Sequence, residues 1–89
     1  MPAQLISYDL RKPGRGYAEL FAVIKSFGAW WHCLESVWIV KTNLTSAQIR
    51  DRLNPHVDAN DKVFVASLRG GWGTFGLDNN CNNWLRENL

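Results

Sequence analysis

Cysteine is scarce in this sequence, and long apolar runs are absent from it. The two cysteines, Cys33 and Cys81, lie far apart and form no CxxC pair, which excludes the cysteine framework of a structural zinc site. No apolar stretch approaches the roughly 20 residues of a membrane helix, and the N-terminal residues lack the pattern of a signal peptide. We therefore expect a cytoplasmic protein without membrane contact, whose cysteines are free thiols because reducing compartments disfavour disulfides.

Charge of either sign is also modest. Ten Lys and Arg residues against eight Asp and Glu residues give a formal net charge of +2. This balance permits RNA or DNA as a partner without indicating it, since dedicated nucleic-acid-binding domains are usually more basic. The glycine-rich stretch RGGWGTFG (residues 69–76) lacks the Lys-Ser or Lys-Thr pair of a P-loop, which excludes that phosphate-binding motif.

Apolar and aromatic residues are well represented. The chain has 89 residues, of which 46% are hydrophobic and five are tryptophan. This length corresponds to one domain, residues 1–89, with a modest core that a second copy would help to stabilise. The tryptophans predict an aromatic-rich core or a contact surface.

The apolar pattern predicts an α+β fold. Strands and helices are expected in the order β-α-β-β-α-β, followed by a weak fifth strand and a short C-terminal helix. This is the ferredoxin-like plan, a four-stranded antiparallel sheet with both helices on one face. The expected strands are residues 3–8, 29–33, 36–42, 62–68 and 69–77, and the expected helices are residues 17–27, 44–55 and 79–89. The other sheet face needs a cover, and a second subunit is the simplest one, so we expect a homodimer.

Three segments carry a resemblance to a known superfamily. ISYDL (residues 6–10) with the cationic loop after it, LESVWIV (residues 34–40) and DKVFVASL (residues 61–68) resemble the small CRISPR-associated ferredoxin-fold endoribonucleases of spacer acquisition. The virulence-associated protein D ribonucleases have the same plan. In overall texture the chain looks closest to small uncharacterised SinR-like bacterial proteins, because AWWHC (residues 29–33) and the asparagine-rich tail depart from the CRISPR-associated pattern.

The resemblance implies a function and a metal. It implies a homodimer in which the two copies of Asp9 approach each other and hold one Mg²⁺ or Mn²⁺ ion. The implied activity is metal-dependent endonuclease cleavage of a phosphodiester, with duplex binding as a scaffold where cleavage has been lost. The alternative is a non-catalytic dimer module that binds nucleic acid or protein. The choice between enzyme and binding module stays open at this point.

Asp9 has two interpretations from residue chemistry. A carboxylate from each copy, together with waters and substrate phosphates, would suit Mg²⁺, which takes oxygen ligands. Asp9 would then be the metal ligand and the candidate catalytic residue. The other interpretation is that Asp9 accepts backbone N–H groups of the following loop, as aspartates at turns commonly do.

The segment after Asp9 carries three cations in five positions: Arg11, Lys12 and Arg15. Cations in a glycine-containing loop can bind phosphate, and arginine can do so through two parallel hydrogen bonds. We expect these residues to contact nucleic acid, and the alternative is a solvated loop.

The tryptophans and His32 complete the candidate set. Trp30 and Trp31 are adjacent, so a strand directs them to opposite faces. Together with Trp38 and Trp72, they are candidates for dimer or strand contacts. His32 could act as a general base near neutral pH, but it is expected to pair with Glu35 across a turn.

Overall fold

The computed structural model describes residues 2–11 and 16–89. Within these ranges the chain forms four strands and three α-helices. Their bounds are β1 Ala3–Asp9, α1 Ala18–Ser26, β2 Ala29–Leu34, β3 Val37–Lys41, α2 Ser46–Leu53, β4 Lys62–Leu68 and α3 Asn79–Asn88, with a 3₁₀ turn at Asn54–His56. The chain is therefore an α+β protein, and the predicted C-terminal helix is present.

The four strands form one antiparallel sheet in the order β2-β3-β1-β4. Leu5 of β1 lies opposite Ile39 of β3 on one side and Ala66 of β4 on the other. The same register places Asp9 opposite Lys62. Because β1 is central, its last residues lie at one end of the sheet, beside the β2–β3 turn and the start of β4.

Helices α1 and α2 cover one face of the sheet and form the main core. Residues at three- and four-residue spacing on each helix meet alternate residues of β1 and β3, as the period of each element requires. The core side chains are Ile6, Leu20, Ile24, Trp38, Val40, Ile49 and Leu53, all nearly inaccessible to solvent. This face of the molecule agrees with the amphipathic pattern of the sequence.

Helix α2 begins at a capping box. The Thr45 side chain accepts a hydrogen bond from the Gln48 backbone N–H at 3.1 Å, and the Gln48 side chain accepts from the Thr45 backbone N–H at 2.9 Å. The two bonds satisfy groups that a helix N-terminus otherwise leaves unpaired. Pro55 lies in the 3₁₀ turn that follows α2, where it stops the helix from continuing.

The second sheet face is covered in part by α3 of the same chain. Ala3, Trp31 and Ile39 form a second buried cluster with Leu85 of α3. The sequence predicted a short C-terminal helix but assigned the cover of this face to a second subunit. The chain itself supplies part of that cover, while Leu34 and Phe64 stay exposed.

The cysteines are paired, which corrects the prediction of two free thiols. Cys33 of β2 and Cys81 of α3 form a disulfide, with their Cα atoms 6.3 Å apart. Strand β2 presents Cys33 on the face that α3 covers, so docking of α3 brings two residues 48 positions apart within bridging distance. The prediction rested on compartment alone and could not anticipate this contact.

The predicted fifth strand is also corrected. Residues 69–77 run between β4 and α3 without strand structure. Gly70 and Gly76 have φ angles of 86° and 84°, in the region that glycine enters readily and a strand does not use. The segment therefore leaves the sheet after Leu68 instead of pairing with it. Across residues 2–11 and 16–89, no helix has the length and apolar content needed to cross a membrane.

Candidate nucleic-acid interface at the end of β1

The candidate site lies where β1 ends. Asp9 is the last residue of β1, and Lys62 faces it as the first residue of β4. The backbone N–H of Tyr8 donates to the carbonyl of Ser36 at 3.1 Å, which holds the β2–β3 turn against the same end of the sheet. Two strand termini and one turn therefore present polar groups together.

Asp9 forms an ion pair with the first cation of the loop. The Arg11 guanidinium Nη2 donates to Asp9 Oδ2 at 2.6 Å, and the two side chains are 58% and 53% exposed. The sequence grouped these residues by proximity but predicted a metal or a backbone N–H as the partner of Asp9. The contact with Arg11 differs from both, and it links the candidate metal ligand to a candidate phosphate contact.

The carboxylate that anchors the backbone after β1 is that of Asp61, which no sequence motif singled out. Its oxygens accept the backbone N–H groups of Arg11 at 2.7 Å and Asp58 at 2.8 Å, and the Tyr17 hydroxyl at 3.0 and 3.1 Å. Arg11 and Tyr17 flank the rest of the cationic loop in sequence. Residues Asp58 to Asp61 form a β-turn just before β4, in which the Asp61 backbone N–H donates to the carbonyl of Asp58 at 3.0 Å, but the long-range partners of Asp61 have no sequence signature.

Lys12 and Arg15 lie outside the described residues. Arg11 is therefore the predicted phosphate contact that can be placed, and its side chain lies beside Asp9 at the surface. Lys62 adds a second cation across the register from Asp9. The sequence did not select Lys62, because only the β1–β4 pairing brings it to this edge.

An aromatic cluster supports the site from the helix-covered face. Trp38 Nε1 donates to the Tyr8 hydroxyl at 3.0 Å, and that hydroxyl donates to the carbonyl of Glu35 at 3.2 Å. Burial raises the pKa of the Tyr8 phenol above its ordinary value of 10.0, and the hydrogen bond from Trp38 offsets part of that rise. Tyr8 is consequently neutral at physiological pH and remains a hydrogen-bond donor.

His32 has a structural position in this cluster. Its ring stacks on Trp38 with centroids 3.8 Å apart and planes 11° from parallel. Its Nε2 lies 3.1 Å from the carbonyl of Glu35, and since a carbonyl only accepts, Nε2 is the donor. The predicted pairing of His32 with Glu35 exists, but through the backbone and not through the carboxylate.

The four candidate tryptophans divide into two groups. Trp31 and Trp38 are 5% and 2% exposed, so they are strand residues of the two cores and offer no surface to a partner. Trp30 and Trp72 are exposed. Trp30 contacts Trp38 and lies under Lys25, whose Nζ is 5.0 Å from the ring centroid. The adjacent pair Trp30 and Trp31 therefore faces opposite sides of the sheet, as predicted.

Metal-ligating side chains do not cluster in the described part of the chain: no group of three or more His, Cys, Asp or Glu residues there could hold an ion. Asp9 contributes one carboxylate per copy, so a site of the predicted kind needs a second copy. No family model matches the sequence, and no solved structure was found to match the chain.

Proposed function

We propose that this chain is a homodimeric nucleic-acid-binding protein that contacts the phosphate backbone through Arg11, Lys12 and Arg15. The observation that carries the proposal is the exposed Asp9–Arg11 pair, which holds an arginine at the end of β1 where a cationic loop begins. Asp61 fixes the backbone of Arg11. A positioned guanidinium beside further cations is suited to a phosphate ester.

The exchange of partners at Arg11 is chemically simple. Exposed ion pairs contribute little to stability, typically about 0–1 kcal/mol, because water and salt screen them. A phosphate can therefore replace the Asp9 carboxylate on the guanidinium at small cost. In the absence of nucleic acid, Asp9 orients Arg11, and in the complex the phosphate takes its place.

The order of the elements supports the ferredoxin-like part of the proposal. The elements β1 to β4 with α1 and α2 follow the β-α-β-β-α-β sequence, and the sheet order is β2-β3-β1-β4. On this basis we infer the ferredoxin-like plan that the resemblance to CRISPR-associated and virulence-associated D proteins implies.

A homodimer is part of the same proposal. Large apolar side chains stay exposed on and beside the sheet face that α3 covers only in part, including Leu34, Phe64 and Phe75. Sedimentation equilibrium at micromolar concentration should give about twice the chain mass of 10.2 kDa. Phe64→Glu should give a monomer, whereas Lys25→Glu, on the α1 side, should not change the mass. A wild-type monomer at that concentration would contradict the dimer.

Metal-dependent cleavage is the second candidate, and the exposure of Asp9 at the strand end favours it. Once a phosphate occupies Arg11, the Asp9 carboxylate is released, and one from each copy would supply oxygen ligands of the kind that Mg²⁺ or Mn²⁺ takes. When bound, the ion would polarise a phosphoryl oxygen or activate a water. If the pair of copies binds metal without nucleic acid, millimolar Mg²⁺ should raise the melting temperature of the wild type and leave Asp9→Asn unaffected.

The non-catalytic protein-binding module and the cytoplasmic location also stay predictions. The Cys33–Cys81 disulfide weighs towards an oxidising environment, because such bonds are rare where thiols are kept reduced. The protein-binding alternative would leave the cationic loop without a nucleic-acid ligand, so the same binding experiment tests it.

The test is a salt titration of binding. Fluorescence anisotropy with a labelled DNA duplex and a labelled RNA hairpin measures the dissociation constant at several salt concentrations. If three cations per copy meet phosphates, replacing Arg11, Lys12 and Arg15 by alanine should flatten the dependence of affinity on salt. Comparing the two probes identifies the preferred nucleic acid.

A matched control removes three cations elsewhere. Lys25, Arg69 and Arg86 are exposed. Arg69 follows Leu68, which pairs with Ala3, so Arg69 lies near the first residue of β1 and far from Asp9 at its last residue. Their triple alanine variant has the same net charge as the loop variant and should keep the wild-type slope. Equal slopes in the wild type and the loop variant would refute the phosphate-binding loop.

A further inference from the structure

The disulfide holds α3 on the second sheet face. Cys81 lies in the first turn of α3, and its sulfur is bonded to that of Cys33 in the edge strand β2. The Trp31 indole Nε1 also donates to the carbonyl of Cys81 at 3.1 Å. The attachment point of α3 therefore coincides with the buried cluster that the helix covers, which contains Ala3, Ile39 and Leu85.

Helix α3 has little intrinsic stability of its own. Five of its ten residues are asparagine, which favours turns and caps over helix interiors. Isolated helices of this length are marginal in water even with better helix formers. One buried side chain, Leu85, anchors it, with Trp84 packing beside it. The docked position of α3 thus depends on contacts that the disulfide holds in place.

The surface under and beside α3 is apolar. A cavity of about 340 Å³ opens between the sheet, α3 and the glycine-rich segment of residues 69–77, and it is lined mainly by apolar side chains. Its lining includes Leu5, Trp31 and Ile39 from the sheet and Leu85 from the helix. If α3 moved away, this cavity and the second cluster would merge into one exposed apolar face.

We propose that the Cys33–Cys81 disulfide is a redox latch that decides whether α3 covers this face. In the oxidised chain α3 is docked and the face is closed. In the reduced chain α3 detaches and the face that contains Trp31 and Ile39 opens to solvent. The observation behind this proposal is the position of the disulfide, and the proposal does not depend on phosphate binding at Arg11.

The chemistry is two-step thiol–disulfide exchange with a thiol of the glutathione class. A thiolate attacks one sulfur of the bond, forming a mixed disulfide and releasing the other cysteine as a thiolate. A second thiol then attacks the mixed disulfide and releases the remaining cysteine, so that two external thiols are oxidised to one disulfide and the protein gains two electrons. Both cysteines are partly exposed, which gives the reductant access. Oxidised glutathione reverses the sequence.

The experiment is hydrogen exchange of the whole chain, read by mass spectrometry, in oxidised and in glutathione-reduced samples. On reduction, peptides that cover residues 79–88 should exchange within about tenfold of the rate of an unfolded chain, while peptides from α1 and α2, although less protected than in the oxidised chain, should still exchange at least about a hundredfold more slowly than that rate. Fluorescence of an added apolar dye should rise in parallel. Cys33→Ser/Cys81→Ser without reductant should match the reduced wild type, and reductant should leave this variant unchanged.

The outcomes that overturn the proposal are specific. Unchanged protection of residues 79–88 after reduction, verified by counting two free thiols, would show that α3 stays docked without the bond. Two free thiols in air-oxidised protein would show that Cys33 and Cys81 do not form a disulfide, which contradicts the proposal. Loss of protection in α1 and α2 to the same extent as in α3 would show global unfolding instead of local release. The reduced wild type gives this answer even if the double variant fails to fold.

Discussion

The indole of Trp38 and the phenol of Tyr8 are joined by a hydrogen bond of 3.0 Å between neighbouring strands β3 and β1. The bond connects the main core to the end of β1, because Trp38 is buried under α1 and α2 while Tyr8 immediately precedes Asp9. The Tyr8 hydroxyl passes the connection on to the carbonyl of Glu35 in the β2–β3 turn. These two hydrogen bonds of Tyr8 therefore fix the position of the neighbouring Asp9 from the helix-covered side of the sheet.

Removing the indole N–H tests this support. Trp38→Phe keeps an aromatic ring but deletes the donor and part of the buried volume, so it should lower the free energy of unfolding by about 2 kcal/mol or more. Trp30→Phe is the matched control, since Trp30 is exposed, and it should change stability by less than about 0.5 kcal/mol. Urea unfolding measures both, and similar losses in the two variants would contradict the assigned roles.

The Tyr8 phenol predicts a loss of stability in alkali. Its pKa is raised in the folded chain above 10.0 by burial, so the folded state binds the phenolic proton more tightly than the unfolded state does. The contribution of the Tyr8 phenol to the free energy of unfolding is therefore fully present below pH 10.0. It is lost as the pH rises through the pKa of Tyr8 in the folded chain. Urea unfolding between about pH 9 and pH 11 should show a smaller decline in Tyr8→Phe than in the wild type. Identical declines would contradict the prediction.

The disulfide should contribute substantially to overall stability. The bond closes a loop between residues 48 positions apart. Because this loop lowers the conformational entropy of the unfolded chain, the bond should raise the free energy of unfolding by about 4 kcal/mol. Cys33→Ser/Cys81→Ser should therefore have a melting temperature lower than that of the oxidised wild type by roughly 15 °C or more. Scanning calorimetry with and without reductant measures the difference. A variant with the same melting temperature as the oxidised wild type would refute the prediction.

Local signals in the sequence were sufficient for the elements on the helix-covered face. The capping box of α2 joins Thr45 and Gln48, which are only three positions apart in the sequence. The four-residue spacing of Leu20 and Ile24 places both on one face of α1, and both enter the core. These features are set by neighbours in sequence, so the sequence contains them directly.

Features that depend on distant residues were missed. The Cys33–Cys81 bond requires α3 to dock on the second sheet face, and the contact between Asp61 and Arg11 requires β4 to pair with β1. Neither contact has a spacing that a sequence pattern can show. The Asp9–Arg11 pair was predicted only as two adjacent candidates, since geometry decides whether a carboxylate meets a neighbouring cation, a metal or a backbone group.

The central claim is that the Asp9 carboxylate occupies the position on the Arg11 guanidinium that a nucleic-acid phosphate takes in the complex. The Asp9→Asn variant tests this claim most directly. In low-salt buffer with EDTA, loss of the competing carboxylate should tighten nucleic-acid binding about two- to fivefold, as expected for removal of an exposed ion pair. Arg11→Ala should weaken it. The matched control is Asp51→Asn, which breaks the comparable exposed pair between Asp51 and Arg50 on α2 and should leave affinity unchanged. Anisotropy titrations of the four proteins give the answer: tighter binding by Asp9→Asn alone supports the account, and binding weakened as much as in Arg11→Ala contradicts it.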